Sequence, residues 1–187
     1  MIIETIFSTL DASGWPNFAP MGVLWGEEEV IVRPFRSTHT CRNLLATGYG
    51  VANVTDDVLA FVQSALDDVV LPHFPAISVP GVVFQGACYW RELAVVAAAE
   101  TAERAEVRCR VVGRGWQRDF LGFCRARSVV IEATILATRL HLHDRETVLE
   151  ELRRYGKIVR KTGNDAERVA FERVAEFVRR WLSDRGG

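Results

Sequence analysis

Residues 33–53 read RPFRSTHTCRNLLATGYGVAN, which predicts a strand end, a hydroxyl-rich turn, a short helix and another strand. Two arginines and three hydroxyl side chains lie where the helix should begin: Arg33, Arg36, Ser37, Thr38 and Thr40. A helix start attracts anions because its first N–H groups are unpaired and the helix dipole is positive there. Arginines and hydroxyls add hydrogen bonds to phosphate oxygens. The stretch therefore predicts a site for a phosphate-bearing ligand.

A purely structural interpretation of the same stretch stays open. Ser37 or Thr38 is expected to cap the helix, and such residues precede helices for capping alone. Gly48 is the expected helix stop. The two arginines would then belong only to a charged hairpin edge.

Short strands surround this stretch. Before it, strands are predicted at residues 4–10, 18–25 and 30–34, with turns DASG and GEEE between them, which is a β-meander. After the helix at residues 38–47, a strand is predicted at 50–54, and Asp56 or Asp57 should cap a helix ending near residue 65.

The rest of the chain changes from predicted strands to predicted helices towards its end. Residues 71–80 contain three prolines and predict an extended loop, which with His73 and Phe74 is a candidate cover for a ligand. A long hairpin is expected from residues 87–104 and 106–115. Helices are predicted at 125–140, 147–155 and 165–182. Strands first and helices later indicate an α+β fold.

Composition narrows the function classes. The 187 residues carry 23 Lys and Arg against 24 Asp and Glu, so no general basic field favours nucleic acid. No segment predicts a membrane span or a signal peptide. Four cysteines without a C-x-x-C pair indicate reduced thiols and a cytoplasmic protein.

Two further residue groups have a structural rather than a functional interpretation. His141 and His143 have the spacing of metal ligands on a strand, but no third soft ligand is near, so a surface pair is expected and no metal site. The five scattered tryptophans are expected to pack in the core or an interface.

Several motifs resemble a known family. PMGV at residues 20–23, the run RPFRSTHTCRNL and the later GVANV resemble the FMN-binding split-barrel flavoproteins, whose flavin-reductase branch has a similar S-x-T-x-x-N element. The series ETI-x-ST, DASG-x-PN-x-APMGV, RPF, NVTDD, EA-x-I-x-ATRL and KTG resembles the DUF447 family of split-barrel proteins. The resemblance covers most of the chain. It implies an α+β fold with an FMN-binding split β-barrel and a C-terminal helical extension.

The resemblance also implies a division of the chain and a set of site residues. Residues 1–124 would form the flavin-binding barrel with inserted helices, and residues 125–187 a helical region packed on it. The FMN phosphate would be held by Arg33, Ser37, Thr38 and Thr40. The flavin ring or ribityl chain would lie along Asn17, Ala19, Met21, Gly22, Asn53, Thr55 and Asp56. Cys41 is a departure, since a Tyr often follows the Thr in relatives.

The resemblance indicates the function less specifically than the fold. The resemblance implies a homodimer with FMN at the subunit interface and an oxidoreductase that passes hydride or electrons through FMN to a small molecule. NAD(P)H is a possible reductant, and no nucleic acid or membrane partner is expected. The alternative is a non-catalytic flavin-binding carrier, sensor or assembly protein. Asn53 is as well explained by protein hydrogen bonds at a buried strand end as by a flavin contact.

Overall fold

The structure, a computed structural model, describes residues 1–184, so positions 185–187 of the predicted helical region lie outside the described residues. The chain forms two compact units. One contains residues 1–56 and 69–120, and the other contains residues 57–68 and 121–184. Each unit has its own hydrophobic cluster.

The first unit is a closed barrel of six strands. Its strands are β1 (Ile2–Leu10), β2 (Pro16–Trp25), β3 (Glu29–Val32), β4 (Tyr49–Val54), β7 (Tyr89–Glu100) and β8 (Ala105–Trp116). Their order around the barrel is β1-β2-β3-β8-β7-β4, and every neighbouring pair is antiparallel. The predicted meander and long hairpin are confirmed.

The barrel closes around apolar side chains because alternate strand residues point inward. Phe7, Val23, Val30, Leu93 and Val107 are each fully buried there. Ile, Val and Thr predominate in β1 and β3, and such β-branched residues fit a pleated, buried surface.

Helix α1 (His39–Thr47) forms where a helix was predicted, and it packs on this barrel. Thr38 is its N-cap, and the Thr38 Oγ1 accepts a hydrogen bond from the Cys41 N–H at 3.2 Å. Gly48 ends the helix with φ of +78°, a left-handed conformation that glycine adopts without strain. The Gly48 N–H donates to the Leu44 carbonyl at 3.0 Å.

The proline-rich segment is more ordered than predicted. It contains β5 (His73–Pro75), which pairs with β6 (Val82–Phe84), so the prediction of a plain loop was wrong. Pro75 ends the strand, and the second strand lies beyond the last proline. The buried Glu92 carboxylate accepts hydrogen bonds from the Ile77 and Ser78 N–H groups, which anchors the hairpin tip to β7.

The second unit is a helical bundle. It contains α2 (Val58–Leu66), α3 (Arg125–Ala137), a 3-10 turn (Leu140–Leu142), α4 (Arg145–Thr162) and α5 (Asp165–Asp184). Helix α2 clusters here, although the sequence interpretation placed it within the barrel range. His141 and His143 lie in and after the 3-10 turn, so their prediction as strand residues was wrong.

Helix α4 is longer than the predicted helix at residues 147–155. Gly156 is a weak helix former, but it is buried inside α4, where a Cβ would come within 3.2 Å of the Phe171 ring. Close packing of α4 on α5 therefore explains the glycine inside this helix.

The start of α5 is closed by its own residues. The Asn164 side chain accepts from the Ala166 N–H at 2.9 Å, while Glu167 accepts from the Asn164 N–H at 3.0 Å. Glu167 also forms an ion pair with Arg127 of α3 at 2.8 Å, and its side chain is only 4% exposed. This is a reciprocal capping arrangement that also ties α3 to α5.

Candidate functional site

The first turn of α1 leaves backbone donors open. The Thr38 N–H donates to the Phe35 carbonyl, and the Cys41 N–H donates to Thr38 Oγ1. Among the described residues, no group accepts from the N–H of His39 or Thr40. No acidic side chain lies in this first turn. The turn therefore offers two N–H groups and the positive dipole end to an anion.

Thr40 adds a side-chain donor at the same place. The Asn17 Nδ2 donates to Thr40 Oγ1 at 3.2 Å, which joins strand β2 to the helix start. Because this bond uses a lone pair of the hydroxyl oxygen, the Thr40 proton remains available to an acceptor. Asn43 donates to Thr9 at 3.0 Å one turn further along and fixes the helix on the same hairpin.

Ser37 and Thr38 differ in what they can still donate. The Thr38 hydroxyl proton goes to the Phe35 carbonyl at 2.7 Å, so Thr38 acts as the cap of α1. The Ser37 side chain is exposed and has no hydrogen-bond partner among the described residues. The predicted role of both residues in holding a phosphate stays a prediction, and only Ser37 has a free hydroxyl proton.

The two predicted arginines are paired with the β7–β8 hairpin. Arg33 contacts Glu106 at 2.8 Å, and Arg36 contacts Glu100 at 2.8 Å. All four side chains are between two fifths and just over half exposed, so these pairs contribute little to stability. Both guanidinium groups are held at the β7–β8 hairpin by these pairs and stay in reach of solvent.

Two further arginines at this place were missed by sequence reasoning. Arg42 Nη1 donates to the Ser37 carbonyl at 2.7 Å, and Arg104 lies over the Phe35 ring at 3.7 Å. Neither has a carboxylate partner among the described residues. The sequence could have indicated Arg42, since it follows Thr38 by one helical turn. It could not have indicated Arg104, because the turn between β7 and β8 brings that residue to Phe35 from far along the chain.

An open strand edge lies next to the helix start. Strand β2 pairs with β3 only through Leu24 and Trp25, so residues 16–23 have a described strand partner on the β1 side alone. This edge contains Asn17, Ala19, Met21 and Gly22. Apart from the Met21 carbonyl, which accepts from the Thr5 hydroxyl at 2.9 Å, the backbone groups that point away from β1 are available to a flat polar ligand.

Asn53, Thr55 and Asp56 lie elsewhere in the barrel unit, bonded to protein groups. Asn53 is fully buried; its Nδ2 donates to the Ile6 carbonyl at 2.9 Å, and its Oδ1 accepts from the Phe84 N–H at 2.9 Å. Thr55 donates to the Gly86 carbonyl at 2.7 Å. Asp56 pairs with Arg118 at 2.6 Å. Protein contacts thus account for the polarity of all three, and their predicted flavin contacts stay predictions.

Cys41 lies in α1, and its surroundings are those of a weak nucleophile. It is 1% exposed, and burial followed by the charge of Glu100 raises the pKa of its thiol, against the opposing effect of Arg36 and Arg42. A thiol with a raised pKa stays protonated near neutral pH and is a weak nucleophile.

Other site classes have no support in residues 1–184. No group of three or more His, Cys, Asp or Glu side chains there is arranged to hold a metal ion. Helices of the length and apolar character that a bilayer requires are not found among these residues.

Comparisons with known proteins give the same picture of the fold. The N-terminal domain of DUF447, described as a protein of unknown function, matches residues 3–118, and a second DUF447 model matches residues 124–176. The crystal structure of an FMN-bound DUF447 protein from Methanosarcina mazei is similar with a TM-score of 0.82 and 28% identity, covering 94% of each chain.

More distant structures share only the fold. An FMN-binding protein from Thermus thermophilus with bound p-hydroxybenzaldehyde has a TM-score of 0.54 and 16% identity, covering 62% of this chain and 71% of its own. The styrene monooxygenase flavin reductase of Pseudomonas putida has a TM-score of 0.52 and 13% identity, covering 60% and 77%. The predicted FMN-binding split-barrel fold is confirmed, and this chain belongs to the DUF447 family.

Proposed function

We propose that this protein binds FMN, with the phosphate at the start of α1, and acts as an FMN-dependent oxidoreductase on a small molecule. One observation carries the proposal. A helix start with two open N–H groups and the Thr40 hydroxyl lies near the charges of Arg36 and Arg42, in a barrel similar to that of an FMN-bound relative.

The residues fit a phosphate monoester in charge and in hydrogen-bonding type. His39 and Thr40 supply N–H donors, Thr40 and Ser37 supply hydroxyl donors, and no acidic side chain in the first turn opposes an anion. Arg42 and Arg104, which have no described carboxylate partner, add positive charge. Charge-assisted hydrogen bonds of this kind are about twice as strong as neutral ones.

The open edge of β2 suits the remainder of the ligand. Asn17 links this edge to Thr40, so an elongated ligand bound at the helix start can extend along Ala19, Met21 and Gly22. Bound FMN would supply hydride or electron transfer, while the protein positions it and admits the substrate. The substrate is assigned only by class, as a small molecule that accepts or donates electrons.

The first experiment is a spectrum of the purified protein. We expect a yellow protein that bleaches with NADH or NADPH. A protein that holds FMN but reacts with no reductant or acceptor would instead be a flavin carrier, sensor or assembly protein. A colourless protein that takes up no added FMN contradicts both functions.

The arginines provide a test with a matched control. Arg33→Ala and Arg36→Ala should each weaken FMN binding, because each removes a positive charge beside the phosphate. Arg108→Ala is the control: Arg108 is equally exposed and pairs with Glu29 at 2.9 Å, but on β8. Equal FMN affinity in Arg33→Ala and Arg108→Ala would remove Arg33 from the site.

A further inference from the structure

The chain that leads into α1 is held by the tip of the β7–β8 hairpin. The Arg36 N–H donates to the Glu103 carbonyl at 3.0 Å, and the Ala105 N–H donates to the Pro34 carbonyl at 3.1 Å. The hairpin tip therefore lies against the chain two residues before Thr38, which caps the helix.

Glu100, the last residue of β7, brings a carboxylate to this place. Its Oε2 lies 2.8 Å from the Arg36 Nε, and the Arg36 Nη1 donates to the Thr101 carbonyl at 3.3 Å. A guanidinium has five N–H donors, and these contacts use two of them. Arg36 is thus already paired with a carboxylate on one side and keeps donors for a second anion.

The charge of Glu100 also reaches the first turn of α1. At Cys41, which follows Thr40, burial raises the pKa of the thiol most; the Glu100 carboxylate raises it further, whereas Arg36 and Arg42 lower it. These three charges therefore act on the turn that offers the open N–H groups. A negative charge at this place opposes an incoming phosphate, and the two positive charges favour it.

We propose that Glu100 is a specificity-determining residue of this site, because its carboxylate competes with the phosphate of the ligand for the guanidinium of Arg36. The inference rests on the FMN binding proposed above. The Glu100 and Arg36 side chains are 42% and 50% exposed, so the exchange of one anion for the other needs only side-chain rotations. The competition weakens the binding of a phosphate-bearing ligand and leaves that of a phosphate-free ligand unchanged.

A purely structural role would make this pair unnecessary. Exposed ion pairs contribute little to stability. Backbone bonds at Pro34 and Arg36 already hold the chain on the hairpin tip. Loss of the Glu100 charge should therefore change phosphate affinity more than it changes the fold.

Titration of apoprotein with FMN and with riboflavin tests the competition. Glu100→Gln should bind FMN about two- to fivefold more tightly than wild type does, which is the value of an exposed ion pair expressed as an affinity ratio. Its affinity for riboflavin should equal that of wild type, because riboflavin lacks the phosphate.

Glu29→Gln is the matched control. Glu29 pairs with Arg108 at 2.9 Å, and these side chains are 46% and 51% exposed, close to the values for Glu100 and Arg36. Neither Glu29 nor Arg108 is among the charges that shift the pKa of Cys41. Glu29→Gln should therefore bind FMN with wild-type affinity.

The competition also predicts that the effect depends on Arg36. In Arg36→Ala protein, the further change Glu100→Gln should alter FMN affinity less than it does in wild type, because the shared cation is gone. An equal change in both backgrounds overturns the competition, since a charge that acts only at a distance would give additive effects.

The outcomes separate this inference from the proposed function. Wild type that binds FMN while Glu100→Gln binds it no more tightly overturns the competition and leaves FMN binding intact. Weaker FMN binding by Glu100→Gln also overturns it, because Glu100 would then hold Arg36 in place for the phosphate. Equal tightening by Glu29→Gln overturns it as a general effect of charge. Wild-type protein that takes up no FMN removes both proposals.

Discussion

Helices α1 and α5 begin in opposite ways. At α5, Asn164 and Glu167 cap each other, and Asp165 adds a second acid in the first turn. At α1, Thr38 is the single side-chain cap, the first turn has no acid, and Arg36 and Arg42 lie on either side of it in the chain. Acids near a helix start are stabilising and cations there are not. The start of α5 is therefore electrostatically complete, whereas that of α1 is left open to an anion.

This difference separates stability from function in the two units. The helical unit uses its buried charges to hold helices together, as Glu167 does with Arg127. The barrel unit keeps donors near α1 that no described residue uses. Substitutions at the two helix starts should therefore affect different measurements.

The largest expected effect is on the closed helix start. Glu167→Ala breaks the buried ion pair with Arg127 and removes the side chain that accepts from the Asn164 N–H, so unfolding in urea should show a loss of about 3 kcal/mol. FMN affinity should not change. Glu172→Ala is the control on the same helix, because its pair with Arg179 is exposed and 3.7 Å long, and it should cost under about 1 kcal/mol. Equal losses of unfolding free energy in the two variants would mean that the buried ion pair contributes no more than an exposed one.

Low pH should destabilise the protein through the same residue, Glu167. Burial alone would raise the pKa of Glu167, but its bonds with Arg127 and the Asn164 N–H outweigh burial and lower the pKa below its ordinary value of 4.5. A carboxyl with a lowered pKa stabilises the fold at pH values above 4.5, and this contribution is lost as pH falls through the folded-state pKa. Between about pH 6 and about pH 3, the free energy of unfolding in urea should fall more steeply for wild type than for Glu167→Ala. Parallel curves would contradict this assignment.

At the open helix start, the largest effect should be on binding. Thr40→Val removes a hydroxyl donor and should weaken FMN binding by about 1.5–3 kcal/mol, the value of a hydrogen bond to a charged group. Thr47→Val is the control at the other end of α1, where the Thr47 hydroxyl donates to the Asn43 carbonyl. Calorimetric titration of the two apoproteins makes the comparison. A weaker complex with Thr47→Val than with Thr40→Val would place the ligand elsewhere.

The smallest expected effect has opposite signs on stability and binding. His39→Glu places an acid in the first turn of α1 and should stabilise the apoprotein by about 0.3–1 kcal/mol. The same charge should repel phosphate and weaken FMN binding. Ala46→Glu puts the acid near the other end of the helix, where it should slightly destabilise the protein without affecting FMN. Tighter FMN binding by His39→Glu would mean that no anion occupies this end.

Local patterns were enough to predict the α1 region. The cap at Thr38, the stop at Gly48 and the flanking strands follow from hydroxyl, glycine and β-branched residues at short range. The family motifs then indicated the split barrel and its cofactor class.

Long-range contacts explain what sequence did not predict. Residues 73–75 of the proline-rich segment form a strand because they pair with β6. Gly156 lies inside α4 because the helix packs closely on Phe171 there. Arg104 reaches the candidate site only because an isolated bridge pairs it with Phe35. Trp15, expected in a core or an interface, is 66% exposed because it lies in the β1–β2 turn, whose geometry composition does not reveal.

The central claim is that the start of α1 holds a phosphate, and riboflavin tests it most directly because it lacks that group. Titration of wild-type apoprotein should show FMN binding at least about tenfold more tightly than riboflavin, as a charged hydrogen bond requires. In Thr40→Val the difference should shrink. Equal affinity of wild type for FMN and riboflavin would contradict the account.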